Sequence, residues 1–364
     1  MVVAVVAAVA LACAPQPGAG RIAYVSGGAL RVLDLATCSR RTLVPRGAAA
    51  PLAFSHDGRW IAFGHGKVVA TGGGKVLRPI GGVYRWTWSP TKDVLAGVSP
   101  AGAVVEGGPG ATGTVLAPPG WGANSLAWAP NGVDLAAGRG KFNGPATPKG
   151  IQQLVVFDAR GSHVVYTTPR GQIAPPDVAA WIGPRIYFQP DMQNSASIAA
   201  DGLQLVSLLG HTTRPVVNAM LPYLPLVPCG SRTLIVAGGD RNTETNKRIV
   251  AYDGARVATL TSGPLVWVEP ACGPHGIAAA AGPNRPAMGL IQPQRSIWLL
   301  SPSLRLTHSP KGWSDDMPTW TPDGKTIVFF RQRLGRGSLY VVRPSDRRIV
   351  GPLAARVAGF AVAP

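Results

Sequence analysis

Acid is scarce in this chain: 17 Asp and Glu stand against 35 Lys and Arg over 364 residues, a formal net charge of +18. A balance of that kind suits an anionic partner or surface, such as a polyanion, a lipid headgroup layer or a cell-wall polymer. It does not by itself indicate nucleic acid. No run of five or more basic residues occurs, and the densest group is Arg331, Arg333, Arg336, Arg343, Arg347 and Arg348. No recognisable nucleic-acid module joins that charge to aromatics, so no nucleic-acid partner is expected. Histidine is equally sparse. The six (His56, His65, His163, His211, His275 and His308) share no register that would gather three at one point, so no metal site is expected. There is no GxSxG, no spacing nominates a Ser-His-Asp set, and no cofactor is implied. Helical periodicity is hard to find anywhere, which points away from helical layers.

Only four cysteines are present, Cys13, Cys38, Cys229 and Cys272, none in a CxxC or similar metal spacing. The first follows MVVAVVAAVALA, an apolar run from Met1 to Ala12 that falls short of the roughly 20 residues of a membrane helix. Its length suits the hydrophobic part of a secretion signal, and Ala10-Leu11-Ala12 has the small residues of a cleavage site. With Cys13 directly after it, the segment resembles a bacterial lipoprotein signal. The expectation is a signal peptide over 1–12, lipidation at Cys13 and a short linker over 13–19. The protein would then be exported to the periplasm or the outer face of the cell membrane, touching the membrane only through its lipid anchor. A plain cleaved signal with an incidental cysteine is the alternative.

What the chain has in abundance is turn formers, 46 Gly and 35 Pro among residues that are 46% hydrophobic. They punctuate short apolar runs, the pattern of many short strands. One phrase recurs: Phe54-Ser55-His56-Asp57-Gly58, Trp128-Ala129-Pro130-Asn131-Gly132 and Trp320-Thr321-Pro322-Asp323-Gly324, with Trp88-Ser89-Pro90 a copy that loses its Gly. Weaker copies stand at Trp181, Leu226 and Val268. Pro presets φ, Asp or Asn bonds its own backbone, and Gly takes the positive φ that follows. The aromatic before the turn belongs to an innermost strand and packs between neighbouring units. After each copy comes a short apolar strand, such as Ile61-Ala62-Phe63 or Ile327-Val328-Phe329-Phe330, then often a third and a more polar fourth. Four strands per unit of about 40 to 50 residues is the arithmetic of a β-propeller blade.

The fold class expected is therefore all-β, a single propeller over residues 20–364. Gly359-Phe360-Ala361-Val362 reads as an innermost strand ending at the Pro of the phrase, and Arg21-Ile22-Ala23-Tyr24-Val25 as the second strand of the same unit. The C-terminal strand should then pair with the N-terminal blade and close the ring, removing free edges. Counting second strands from Ile22 gives eight blades. Seven is the alternative, because the third unit is compact and the fifth and seventh are long.

At these residues the sequence resembles the TolB-type, WD-repeat-like propeller family, most clearly over THSPKGWSDDMPTWTPDGKTIVFF, Thr307 to Phe330. The resemblance implies an extracytoplasmic propeller that binds other proteins. The separate N-terminal α/β domain of the full TolB protein has no counterpart here. One register converges on the channel. Four residues before the repeat aromatic, it places Asn124, Asp177 and Asp316 at one mouth, with Asp315, Trp121 and Trp313 close by. Carboxylates there could bind a cationic group, or simply hydrogen-bond backbone where the strand starts. Cys229 and Cys272 follow innermost strands of adjacent blades, near enough for a bridge of roughly 4.4–6.8 Å between Cα atoms, or else both stay free; Cys38 would be unpaired. The function expected is a non-enzymatic scaffold or ligand sensor that meets a protein of the cell envelope or an anionic envelope component. A propeller enzyme of lactonase, cyclase or lyase type, acting at the channel mouth, is the alternative.

Overall fold

The computed structural model describes residues 13–16, 18–120, 122–141, 151–169, 175–190, 204–219, 226–238, 245–285 and 294–364. The expected signal segment and Trp121 lie outside them. Every regular element among the described residues is a β-strand. The strands form seven antiparallel sheets in which chain neighbours are sheet neighbours: one of seven strands, five of four and one of three. The seven-stranded sheet joins the two ends of the chain and is counted first here. The others follow as the second (residues 52–70), third (85–117), fourth (122–167), fifth (177–218), sixth (227–259) and seventh (265–305).

The first sheet owes its size to one long strand, Ile349–Val362. Its first part pairs with Arg336–Val342, with Leu339 opposite Ala354. Its second part pairs with Arg21–Ser26, with Ile22 opposite Val362 and Tyr24 opposite Phe360. The strand thus ends one four-stranded unit and begins another. Ile22, Tyr24 and Leu33 from one chain end share a buried cluster with Val328, Phe330, Leu339 and Val341 from the other. Comparable clusters fill the gaps between successive sheets, as where Ala96 and Val98 meet Trp128, Leu135 and Val155. Alternation within each strand dictates this, because every sheet buries both faces against its neighbours.

The recurring phrase is a hairpin corner built the same way each time. Gly58, Gly132 and Gly324 have φ of 70°, 68° and 67°. The acidic or amide side chain caps the corner: Asp57 Oδ1 accepts from Arg59 N at 2.9 Å, Asn131 Oδ1 from Val133 N at 2.9 Å, and Asp323 Oδ1 from Lys325 N at 3.1 Å. The aromatic works between sheets. Trp88 Nε1 donates to Ala53 O, Trp128 Nε1 to Thr87 O and Trp320 Nε1 to Ala271 O, at 3.1, 3.1 and 3.2 Å. Each indole latches its strand to the one before. Cys272 holds the same register in the seventh sheet, pairing with Ile277 as Trp320 pairs with Ile327. There the link to the preceding strand is a disulfide, Cys229–Cys272, with Cα atoms 5.5 Å apart.

A second bridge overturns the expectation of an unpaired Cys38. Cys13 and Cys38 form a disulfide, Cα to Cα 5.8 Å. The segment expected to be a linker lies against the first sheet: Gln16 N donates to Leu35 O at 2.8 Å, Thr326 Oγ1 donates to Gln16 Oε1 at 2.7 Å, and Cys13 packs on the cluster that holds Ile22 and Leu35. That docking brings the two sulfurs together. While the bond stands, the Cys13 sulfur is not available for the thioether of a lipid anchor, and Cys38 is not the unpaired thiol the sequence suggested.

Candidate functional site

The first strand of each sheet lies innermost, and these strands pack on one another. Their two ends differ in chemistry. Where Arg85–Trp88, Gly122–Trp128 and Asp177–Ile182 begin, polar groups meet. Arg85 Nη1 reaches across the intervening strand to Asp177 Oδ1 at 3.2 Å, while Tyr84 donates its hydroxyl to Ala123 O at 2.6 Å. Asn124 Nδ2 donates to Pro175 O at 3.5 Å, and Ser125 Oγ donates to Pro176 O at 3.3 Å and accepts Val178 N at 2.8 Å. Gly138 makes that crossing fit, since a Cβ there would sit 1.8 Å from Pro176 O. Asp177 is 4% exposed. Burial raises its pKa, and the nearby Arg85 guanidinium and Ser125 hydroxyl offset this only in part. A cavity of about 260 Å³ lies here, bounded by Pro51, Tyr84, Arg85 and Leu126.

The two remaining candidates, Asp315 and Asp316, begin the strand Ser314–Trp320 and are fully buried. Asp315 takes both arms of Arg331, at 2.6 and 2.8 Å. Asp316 accepts from Arg295 Nη1, Ser314 Oγ and Gln332 Nε2, each at 2.8 Å. Burial opposes the charge on Arg331, yet the Asp315 carboxylate outweighs it and the guanidinium pKa is raised. The same guanidinium stands over the ring of Tyr340 at 5.0 Å. The four sequence candidates thus divide into an Asn124/Asp177 group and an Asp315/Asp316 group. All three carboxylates are matched by arginines: Arg85, Arg295 and Arg331. Sequence reasoning missed these partners. The only signal for them was the excess of arginine over acid, which names no pairs.

The opposite end of the inner strands is apolar. A cavity of about 550 Å³ opens there, walled by Trp88, Leu126, Trp128, Ala180, Trp181 and Pro228, with Thr87, Pro90, Pro130, Ala127, Ala179, Ile182, Gly183, Leu226 and Gly230 completing it. None of these is acidic, basic, Cys or Tyr. The walls come from the third to sixth sheets, and the corner phrase supplies the aromatic-x-Pro pairs Trp88/Pro90 and Trp128/Pro130. Leu126 lines this cavity and the smaller one at the polar end. Its volume falls within the roughly 300–1,000 Å³ of ligand pockets.

One grouping among the described residues has the donor set of a metal site: His56, Asp57 and Asp93, with atoms within 4.8 Å of one another. Arg59 already pairs with both carboxylates. Slight burial of Asp57 is outweighed by its bonds to Arg59 and Ser55, so its pKa is lowered. The histidine survey did not find the grouping because its two acids come from the corners of successive sheets.

No protein-family model and no curated protein sequence matches the chain. Solved structures do. An oligogalacturonate lyase in complex with manganese is 15% identical, with a TM-score of 0.54 over 89% of this chain and 96% of that one. The oligogalacturonate lyase of Vibrio parahaemolyticus is 11% identical, with a TM-score of 0.53 over 90% and 98%. TolB of Acinetobacter baumannii is 15% identical over 96% and 68%, with a TM-score of 0.42. Likeness at this level is one of fold. With the repeated four-stranded sheets, the chain has a TolB-like, WD-repeat-like propeller fold.

Proposed function

We propose that this chain is an extracytoplasmic, non-enzymatic β-propeller that holds a protein partner of the cell envelope at the apolar end of its inner strands. Dividing the first sheet at the strand Ile349–Val362 gives eight four-stranded or near-four-stranded units, and the pairing of Tyr24 with Phe360 supports a closed ring. The two disulfides, Cys13–Cys38 and Cys229–Cys272, point to an oxidising compartment outside the cytoplasm.

The observation that carries the reading is the lining of the 550 Å³ cavity. Tryptophan, proline, aliphatic and one threonine side chain, with no titratable group among the described lining residues, can bury an apolar segment of a partner but offer no general acid or base. The lactonase, cyclase or lyase alternative would need such groups in reach. The acids at the other end are already engaged by arginines.

Pull-down from envelope extracts tests this, with the native protein beside Ala180→Trp, which fills the cavity with a large side chain. A partner retained by the first and lost by the second, at equal thermal stability, is the expected result. Equal recovery by both would remove the cavity from the account. Salt-sensitive recovery of an anionic polymer by both proteins would assign the work to the +18 surface instead.

A further inference from the structure

The segment 13–16 lies between two turns, and arginines stand on both sides of it. On one side Cys13 is bonded to Cys38, in the turn before the strand Arg40–Val44. On the other, Ala14, Pro15 and Gln16 share a notch of about 150 Å³ with Arg343, Arg348, Val341 and Val350. Arg40 reaches across toward that side, giving Nη2 to Leu353 O at 3.2 Å. Arg40, Arg347 and Arg348 are exposed, and so is Ile349 beside them.

The shape of this face is set by its own hydrogen bonds. Cys38 and Arg347, one in each turn, have φ of 57° and 55°. Arg343 N donates to Arg348 O at 3.1 Å, and Arg348 N to Asp346 Oδ1 at 3.0 Å. The acids nearby are already engaged. Asp34 Oδ1 accepts Ala36 N and Thr37 N, both at 2.9 Å, and Asp323 Oδ1 accepts Lys325 N and Thr321 Oγ1. Asp346 pairs with Arg343 at 3.0 Å. Among the described residues no carboxylate forms an ion pair with Arg40, Arg347 or Arg348. Their charge is therefore directed at whatever lies outside. The apolar run Met1 to Ala12 joins the folded chain at Cys13, in the middle of this group. A bilayer that holds that run brings its headgroups within about a Debye length, ~10 Å, of the guanidiniums.

We propose that this face is a membrane-docking surface: it lies on an anionic phospholipid leaflet, with a headgroup phosphate at the notch against Arg343 and Arg348. Arg40 and Arg347 then stand in the headgroup layer. Arginine suits the task because its planar fork meets phosphate oxygens in pairs. A soluble polyanion would answer the same charge, but the apolar run entering between the arginines favours a bilayer. The Cys13–Cys38 bond, which takes the sulfur from a lipid thioether, fixes the chain at this face instead. The surface stands independently of the partner-binding reading, since the notch and the apolar cavity share no lining residue.

The test is cosedimentation of the full, oxidised chain with vesicles of phosphatidylcholine alone and of phosphatidylcholine with phosphatidylglycerol. The apolar run meets both vesicles alike, so the difference between them reads the arginines. Binding should be tighter to the phosphatidylglycerol vesicles and should weaken as salt rises. Arg347→Gln combined with Arg348→Gln, two exposed substitutions, should weaken that binding about thirtyfold and leave binding to phosphatidylcholine unchanged. Arg214→Gln with Arg256→Gln, exposed on the fifth and sixth sheets, removes the same charge elsewhere and should change neither. Equal binding to the two vesicles overturns the proposal. So does an equal loss in the two double variants, which would make net charge the cause. Tighter binding to soluble polyphosphate than to the phosphatidylglycerol vesicles, lost in the first variant, would make the face a polyanion site and overturn the membrane assignment.

Discussion

The inner strands end in opposite ways. Where they begin, Asp177, Asp315 and Asp316 are buried and matched by Arg85, Arg331 and Arg295. Where they finish, Trp88, Trp128, Trp181 and Leu126 surround a cavity with no charged group among its described lining residues. The polar end spends its chemistry inside the molecule, tying strands together. The apolar end holds the larger of the two cavities, which is why the proposed binding is placed there. The three buried acids act here as fastenings between strands.

The largest effect expected from breaking this contrast is at the polar end. Asp316→Ala takes the carboxylate from a guanidinium that is itself 6% exposed, and loss of one partner of a buried pair costs about 3–5 kcal/mol. Urea unfolding should show that loss; a change under 1 kcal/mol (about the worth of a surface pair) would mean that the acids are not fastenings. The next effect is at the apolar end. Replacing Cys229 and Cys272 together by Ala opens the one inner-strand joint where a disulfide holds the tryptophan's register, and should lower stability by about 2–4 kcal/mol. Peptide mapping of the unreduced protein should find that bridge and Cys13–Cys38. A diacylglyceryl group on Cys13 would restore the lipid anchor and remove the second bridge.

The smallest effect is in pH dependence. Burial raises the Asp177 pKa above the usual 3.8, so the folded state holds that proton more tightly than the unfolded chain does. Its contribution to stability is complete below 3.8 and is lost as pH rises through the folded value. Asp177→Asn should make the decline of stability above that pH shallower. Parallel profiles for the two proteins would show that Asp177 carries no such linkage.

Much of the fold was legible because the corner phrase is local. Gly58, Gly132 and Gly324 must take positive φ, and the residues that satisfy this lie within five positions of one another. The pairing of the chain ends was legible for the same reason, since Phe360 and Ile22 each carry half of one repeat. The site was harder to read. Register gave the height of Asp177 along its strand but not that Arg85, two sheets away, would reach it. The tryptophans were read as packing between units. That is true of Trp88 and Trp128, but their exposed edges also line the cavity. Cys13 was read from the apolar run before it, and nothing local revealed that Gln16 would dock on the first sheet and carry Cys13 to Cys38.

The contrast between the ends is tested most directly by placing a photo-crosslinking amino acid at Ala180 in one protein and at Tyr84 in another, then irradiating each in the presence of envelope extract. The account predicts a discrete adduct from position 180 and none from position 84. Capture from position 84 alone would put the binding site at the end held here to be structural, and would contradict it.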